Sequence, residues 1–252
     1  MTIQQIFFSP TGGTKRVCEQ VCRGMNGVTM VTDLCVPRGQ MRLPVLSEDD
    51  IAVIAMPVFA GRVPAIAVER LRMIESNNAF CVLLAVYGNR NYDDALLEMY
   101  DVARSEGFRP VAAIAAVAEH SIARVYAAGR PDAADCEELA AYGREIMGRL
   151  GDGVPPVGLD IPGNRPYKAA NVGPFPEADE RCTACGLCAV QCPAGAIPVT
   201  DLRTMDRNTC VSCMRCVAVC PAGARGIGAL RDFVTERLRP LCSERRGNVL
   251  VV

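Results

Sequence analysis

In the C-terminal third of the chain, cysteines fall into two runs: Cys182-x2-Cys185-x2-Cys188-x3-Cys192-Pro193 and Cys210-x2-Cys213-x2-Cys216-x3-Cys220-Pro221. Thiolates are the ligands of iron–sulfur cubanes, and two-residue gaps let three successive sulfurs converge on one side of a tight loop. The fourth cysteine of each run lies beyond reach of the cubane its neighbours face. Gly186 and the proline after each fourth cysteine suit a chain that turns sharply around an inorganic core. Paired cysteines at this spacing also bind zinc. A tetrahedral zinc site, however, has little use for a third cysteine at the same short gap, or for a Cys-Pro pair repeated in the same phase. The spacing therefore predicts two [4Fe-4S] clusters and, with them, electron transfer.

The two runs form an internal repeat offset by 28 residues, which predicts a small module with a pseudo-two-fold axis. From Ala178 to about Gly228 it resembles a bacterial-type two-cluster ferredoxin. In such proteins the fourth cysteine of each run ligates the other cluster. The resemblance thus implies two crossed sets: Cys182, Cys185, Cys188 and Cys220 for one cluster, Cys210, Cys213, Cys216 and Cys192 for the other. From Asp179 onward arginines outnumber acids. They would partly neutralise the anionic clusters and raise their potentials.

The elements that must carry this module are legible upstream. Short, almost continuously apolar runs at residues 3–8, 28–34, 51–56, 80–86 and 111–118 alternate with helical patterns at 14–25, 64–74, 92–106 and 133–150. Strands that are buried on both faces read this way, so the pattern predicts repeated βα units and a five-stranded parallel sheet. Residues 151–177 are rich in Gly, Pro and Asn and hold no period, as in a linker or wrapping extension. The expected division is a doubly wound domain over 1–150, the linker over 151–177, and the cluster module over 178–252. Within the last, 227–241 read as an amphipathic helix and 248–252 as a short strand or tail.

A second chemistry lies in the loops after the predicted strands. Ser9-Pro10-Thr11-Gly12-Gly13-Thr14 follows the first strand and opens a helix, so hydroxyls and amides gather at a helix N-terminus, as in a phosphate cradle. There is no GxGxxG and no Walker lysine, so a monophosphate ester fits better than a dinucleotide or nucleoside triphosphate. The third strand runs into Met56-Pro57-Val58-Phe59-Ala60-Gly61-Arg62, and the fourth into Tyr87-Gly88-Asn89-Arg90-Asn91-Tyr92-Asp93-Asp94. In a 2-1-3-4-5 sheet the ends of strands one, three and four meet at the topological switch point, where flavodoxin-like proteins bind FMN.

On these motifs the chain resembles the flavodoxin-like superfamily. Over nearly its whole length it resembles the flavodoxin–ferredoxin fusion proteins of anaerobic bacteria and archaea, which share the Gly-Asn-Arg-x-Tyr-Asp-Asp loop and Pro162-Gly163-Asn164-Arg165-Pro166-Tyr167-Lys168. The resemblance implies that Ser9, Thr11, Gly12, Gly13 and Thr14 hold the FMN phosphate. It also implies that Pro57, Phe59, Gly61, Tyr87, Gly88, Asn89 and Tyr92 line the isoalloxazine ring. The chain has no tryptophan to stack on a flavin, and Phe59 or Tyr92 offers a π face instead.

Other residues invite blander readings. His120, the only histidine, stands at a predicted strand end as a structural residue. Cys18 and Cys22 share a helix face as buried thiols, and Cys35, Cys81, Cys136 and Cys242 read the same way. Asp93 and Asp94 at a helix start cap it and complement its dipole. A formal net charge of -1 argues against a nucleic-acid surface, and no apolar run is long enough to span a bilayer. The first eight residues lack the basic stretch of a secretory signal, and fourteen cysteines suit a reducing compartment, so a cytoplasmic protein is expected. The favoured function is relay of single electrons between redox partner proteins, the clusters and FMN. Two alternatives stand beside it: an FMN-dependent reductase acting on an organic substrate, and a ferredoxin module whose flavin-free body docks a redox partner.

Overall fold

The structure, a computed structural model, describes residues 2–152, 158–171 and 173–252; residues 153–157 and 172 of the expected linker lie outside the described residues. In chain order the elements are β1 (Ile3–Phe7), α1 (Gly13–Met25), β2 (Thr29–Asp33), β3 (Ile51–Pro57), α2 (Ala65–Leu71), β4 (Phe80–Tyr87), α3 (Ala95–Ser105), β5 (Arg109–Val117) and α4 (Ala133–Gly151). There follow β6 (Glu177–Ala178), α5 (Leu187–Val190), α6 (Arg215–Ala218), β7 (Arg225–Gly226), α7 (Leu230–Cys242) and β8 (Val249–Val251).

The large sheet has the order β2-β1-β3-β4-β5-β8. Its first five strands are parallel in the expected 2-1-3-4-5 arrangement, the order of a flavodoxin-like doubly wound fold. The period of two sorts each central strand between two cores. From β3, Ala52, Ile54 and Met56 face one core with Cys81, Leu83 and Ala85 of β4, under α2 and α3. Ile51, Val53 and Ala55 face the other with Val82, Leu84 and Val86, under α1 and α4. Burial on both sides is why β3 and β4 read as unbroken apolar runs. Cys18 and Cys22 point into the second core, as buried thiols should.

α1 and α4 touch at two glycines. A Cβ on Gly24 would lie 1.9 Å from the Ala140 carbonyl oxygen, and one on Gly143 would lie 2.2 Å from that of Val21. Two helix-interior glycines, each costly for propensity, are thereby explained by backbone-to-backbone packing.

Two sequence expectations change and a third is resolved. The sheet has six strands rather than five, because Val249, Leu250 and Val251 pair antiparallel with Ala115, Ile114 and Ala113. They cover the edge that β5 would otherwise leave unpaired. The tail, expected within the cluster module over 178–252, thus belongs to the large sheet. α3 starts three residues later than the predicted 92, because Asp93 takes a left-handed φ of 44° that no helix continues. Of the two readings of residues 151–177, linker or wrapping extension, the segment Pro162–Lys168 takes the second, being strapped to the body. Asn164 donates to Asp94 through backbone and side chain (2.9 and 3.0 Å), the Lys168 amide donates to Asp94 at 2.7 Å, and Arg165 forks onto Asp101. Arg62 donates to the Lys168 carbonyl at 2.6 Å and lies 4.9 Å from the centroid of the Tyr167 ring. The carboxylate of Asp94 therefore does not cap α3 but clasps the strap, and these bonds hold it below the usual carboxylate range.

The small module consists of α5, α6 and the two-stranded β6–β7 ribbon. α5 and α6 occupy equivalent places in the repeat, and the two helices pack together. Among the described residues, no helix is long and apolar enough to cross a membrane.

Candidate functional site

Each cysteine loop is turned by two left-handed residues that flank its middle cysteine: Ala184 (φ 54°) and Gly186 (φ 77°) in the first repeat, Ser212 (φ 51°) and Met214 (φ 61°) in the second. Three of the four are not glycine and so carry backbone strain, and the left-handed positions are the same in both repeats. The turns aim the thiols inward. Cys182, Cys185, Cys188 and Cys220 line one small cavity, and Cys192, Cys210, Cys213 and Cys216 line a second. The structure thus brings together the two crossed sets that the resemblance implies. Among the described residues, no three Cys, His, Asp or Glu side chains converge closely enough to hold a single metal ion.

The walls fit thiolates bound to a cationic iron–sulfide core. Burial pushes the Cys213 and Cys216 thiols up to about 12 and raises Cys210 as well, so a thiolate there needs a cation beside it. Burial also pushes Cys220 up, but the backbone amides of Arg225, Ala224, Ala222 and Gly223 outweigh it and hold that thiol below its ordinary value. Backbone amides point at two more sulfurs, from Ala196 to Cys192 (3.3 Å) and from Ser212 to Cys210 (3.4 Å). Arg225 lines both cavities and is 3% exposed. It donates to the carbonyls of Pro176, Leu202 and Thr204, while its Nε has no partner. Nothing in the spacing rules singles out this arginine.

The second cavity sits against the ends of β1 to β3. Cys213 packs into the larger domain's first core, with Val211 and Phe59 at the edge of that core. Arg215 donates to the Pro10 carbonyl at 3.1 Å and to Gln191 at 2.6 Å. Arg70, from α2, donates to the carbonyls of Leu34, Val36 (2.9 Å) and Pro193 (2.5 Å). The cluster module is therefore seated on the loop Ser9–Thr14 and on the turn after β2.

In that loop, Ser9 and Thr14 are buried while Thr11 and Gly12 are exposed. Gly12 takes a left-handed φ of 94° with no atom within 4 Å of a would-be Cβ, and as the N-cap of α1 it supplies no side-chain cap of its own. Ser9 Oγ accepts from the Lys15 amide at 2.8 Å. The first-turn amides of Gly13 and Thr14, ahead of the one that Ser9 takes and beside an open glycine, fit a phosphate group. The Ser9 amide donates to Cys35 Sγ at 2.9 Å, so this cysteine braces the loop, a role its sequence position does not announce.

The residues expected at the flavin ring divide. Phe59 and Tyr92 are half-buried at the crevice, Tyr92 edge-on to Tyr87 at 5.6 Å between centroids, and Pro57 closes the buried end of β3. Gly61 abuts the Asp93 side chain and Gly88 abuts His120, so both glycines answer to contacts within the protein. Tyr87 donates to the Gly247 carbonyl at 3.2 Å. Asn89 donates to the carbonyls of Cys242 and Glu244 (both 2.8 Å) and accepts from the Arg246 amide (3.1 Å). The loop after β4 thus grips the chain's own tail, which sequence reasoning missed because the contact spans more than 150 residues. His120 Nδ1 accepts from the amides of Ile122 (3.2 Å) and Ala123 (3.1 Å), the structural role expected of it.

The sheet order defines a flavodoxin-like fold. Residues 181–224 match the family described as 4Fe-4S dicluster domain. Among solved structures, similar chains include an archaeal flavodoxin (16% identity, covering 60% of this chain and 99% of that one, TM-score 0.45). The flavodoxin of Streptococcus pneumoniae TIGR4 (16%, 60% and 99%, TM-score 0.41) and that of Megasphaera elsdenii (12%, 58% and 98%, TM-score 0.39) are also similar. No curated protein matches the chain. With the fold resting on strand order, the chain has a flavodoxin-like fold followed by a segment that matches the 4Fe-4S dicluster family. Electron transfer is its general function, and [4Fe-4S] chemistry is what the matched family brings to it.

Proposed function

We propose that the chain relays single electrons, with Cys182, Cys185, Cys188 and Cys220 holding one [4Fe-4S] cluster, Cys210, Cys213, Cys216 and Cys192 a second, and the loop Ser9–Thr14 the phosphate of FMN. When bound, the clusters supply one-electron chemistry and the flavin one- or two-electron chemistry. The observation that carries this reading is the pair of four-cysteine cavities, the second of which leans on the flavodoxin-like crevice. The cysteine loops place the ligands and their amides lower the charge on sulfur. Ser9, Thr11, Gly12, Gly13 and Thr14 offer hydroxyls and helix amides to a phosphate. Phe59 and Tyr92 offer ring faces at the half-open side of the crevice. Residues 1–150 form the flavin unit and residues from 178 the cluster unit, with the tail returning to the larger sheet. Fourteen free cysteines support a reducing compartment, the cytoplasm, and a redox protein as the partner.

A second reading is favoured by one observation. Asn89 has its amide committed to the tail, and so does the Tyr87 hydroxyl, which supports a flavin-free body serving to dock a partner.

Iron, sulfide and flavin measured in protein purified without oxygen test both. About eight irons per chain, matched by sulfide, are expected. Stoichiometric zinc with little sulfide would overturn the cluster assignment; full iron with no flavin uptake from added FMN selects the docking reading. The Cys192→Ser variant should fall to about four irons and lose the cluster of Cys210, Cys213 and Cys216. Loss of the other cluster instead would reverse the crossing.

A further inference from the structure

The two repeats are alike in sequence and unlike in surroundings. In the first, Thr183, Ala184 and Cys185 are all exposed. Their counterparts in the second are Val211, half-buried against the larger domain, Ser212 at 8% and Cys213 at 8% exposure. Gly186 lies beside open space, whereas its counterpart Met214 is 3% exposed. Leu187 is matched by Arg215, which bonds to Pro10 of the glycine-rich loop. The body has thus broken the module's pseudo-two-fold symmetry, covering one cysteine loop and leaving the other in solvent.

We infer that the Thr183–Gly186 loop is the docking face through which an external one-electron carrier protein exchanges electrons with this chain, the loop at Val211–Arg215 being the inward terminal. The inference rests on the proposed two-cluster reading and adds to it which cluster meets the partner. Electron tunnelling falls off exponentially with distance, so the partner's redox group must come close to a ligand sulfur. The first loop permits the closest approach: its side chains are small, uncharged and uncovered, and Cys185 is exposed, whereas in the second set Cys192 and Cys210 are half-buried and Cys213 and Cys216 buried. Each encounter moves one electron, oxidising the carrier by one and reducing the chain by one, or the reverse; no bond or proton need move. The rim carries Asp179, Glu180 and Arg181, and Arg181 pairs with Asp179 at 2.6 Å, which leaves one acid and no strong charge on the face. Docking there should depend only weakly on salt.

The test uses the full chain carrying its clusters, with iron and sulfide counted first. In the dithionite-reduced protein, a soluble dysprosium chelate should speed relaxation of the cluster signal that the Cys185→Ser variant alters or abolishes, and should leave the other signal nearly unchanged. Thr183→Trp should slow reduction by a pre-reduced small ferredoxin by about fivefold or more with cluster potentials unaltered, while Glu145→Trp, on the outer face of α4, should have no effect. Equal relaxation of both signals, stronger relaxation of the second, or an unchanged rate in Thr183→Trp would overturn the port. A sample with clusters but no flavin leaves these readouts intact and sinks only the flavin part of the proposed function. A sample without iron overturns both.

Discussion

Arg225 shows how much one side chain contributes that no motif announces. It stands between the two cysteine cavities, nearly excluded from solvent, with its guanidinium held by carbonyls rather than by a carboxylate. Among the described residues it makes no salt bridge with an acid, so its charge favours the more negative, reduced state of a neighbouring cluster. Arg225→Gln should lower both cluster potentials by about 50–100 mV, read in an EPR-monitored redox titration. An upward shift, or no shift in a variant of full iron content, would contradict this placement of the charge. His120 offers a second test at this scale. Burial, with Arg90 nearby, holds its imidazole at about 4, so it stays neutral in the fold where an unfolded chain would protonate near 6.5. The unfolded state then binds more protons below 6.5. The stability His120 contributes is fully present above that pH and is lost as the pH falls to about 4, on the order of 3 kcal/mol. As the sole histidine, it gives a single imidazole NMR titration, in which a midpoint near 6.5 would refute the prediction.

Among the elements, the α1–α4 pair depends on the contact at Gly24 and Gly143, where each helix lies against the other's backbone. An added methyl on either must push the helices apart, at about 1–3 kcal/mol, while the cysteine module stays as it was. Urea unfolding of Gly24→Ala should show this loss with an unchanged iron content. Helix propensity alone predicts the opposite, a small gain from Gly to Ala, so the sign of the change separates packing from propensity. The strap Pro162–Lys168 behaves similarly as an element. Its sequence reads as a linker or wrapping extension, and Asn164, Arg165, Tyr167 and Lys168 each find partners on α3 or the residues just before it.

For the whole molecule, the tail closes the architecture. After α7 the chain passes Asn89, then Tyr87, and ends as a strand on β5. Asn248 supports the passage, accepting from the Val117 amide at 2.9 Å and donating to Glu138 at 2.5 Å beside the buried Arg130–Asp135 pair. Asn89→Ala would leave the Cys242 carbonyl and the Arg246 amide without that partner, and the melting temperature should fall by an amount equivalent to about 1–3 kcal/mol. An unchanged melting temperature would mean that the tail does not depend on this clasp. The seating of the cluster module is likewise a property of the whole, made by Arg70 and Arg215 across more than a hundred residues.

The amino-acid sequence by itself determined the local and periodic features. The cysteine spacing, the 28-residue repeat, the five parallel strands and the glycine loop before α1 are set by short-range geometry, which any window of the chain displays. Tertiary structure alone decided what depends on contacts between distant segments. It exposed the loop of Cys185 and buried that of Cys213, placed Arg225 between the cavities, committed Asn89 to the tail and made Val249–Val251 a sixth strand. The physical reason is that burial and hydrogen-bond partners belong to pairs of surfaces. Two loops of the same pattern, 28 residues apart, become different once a body covers only one of them.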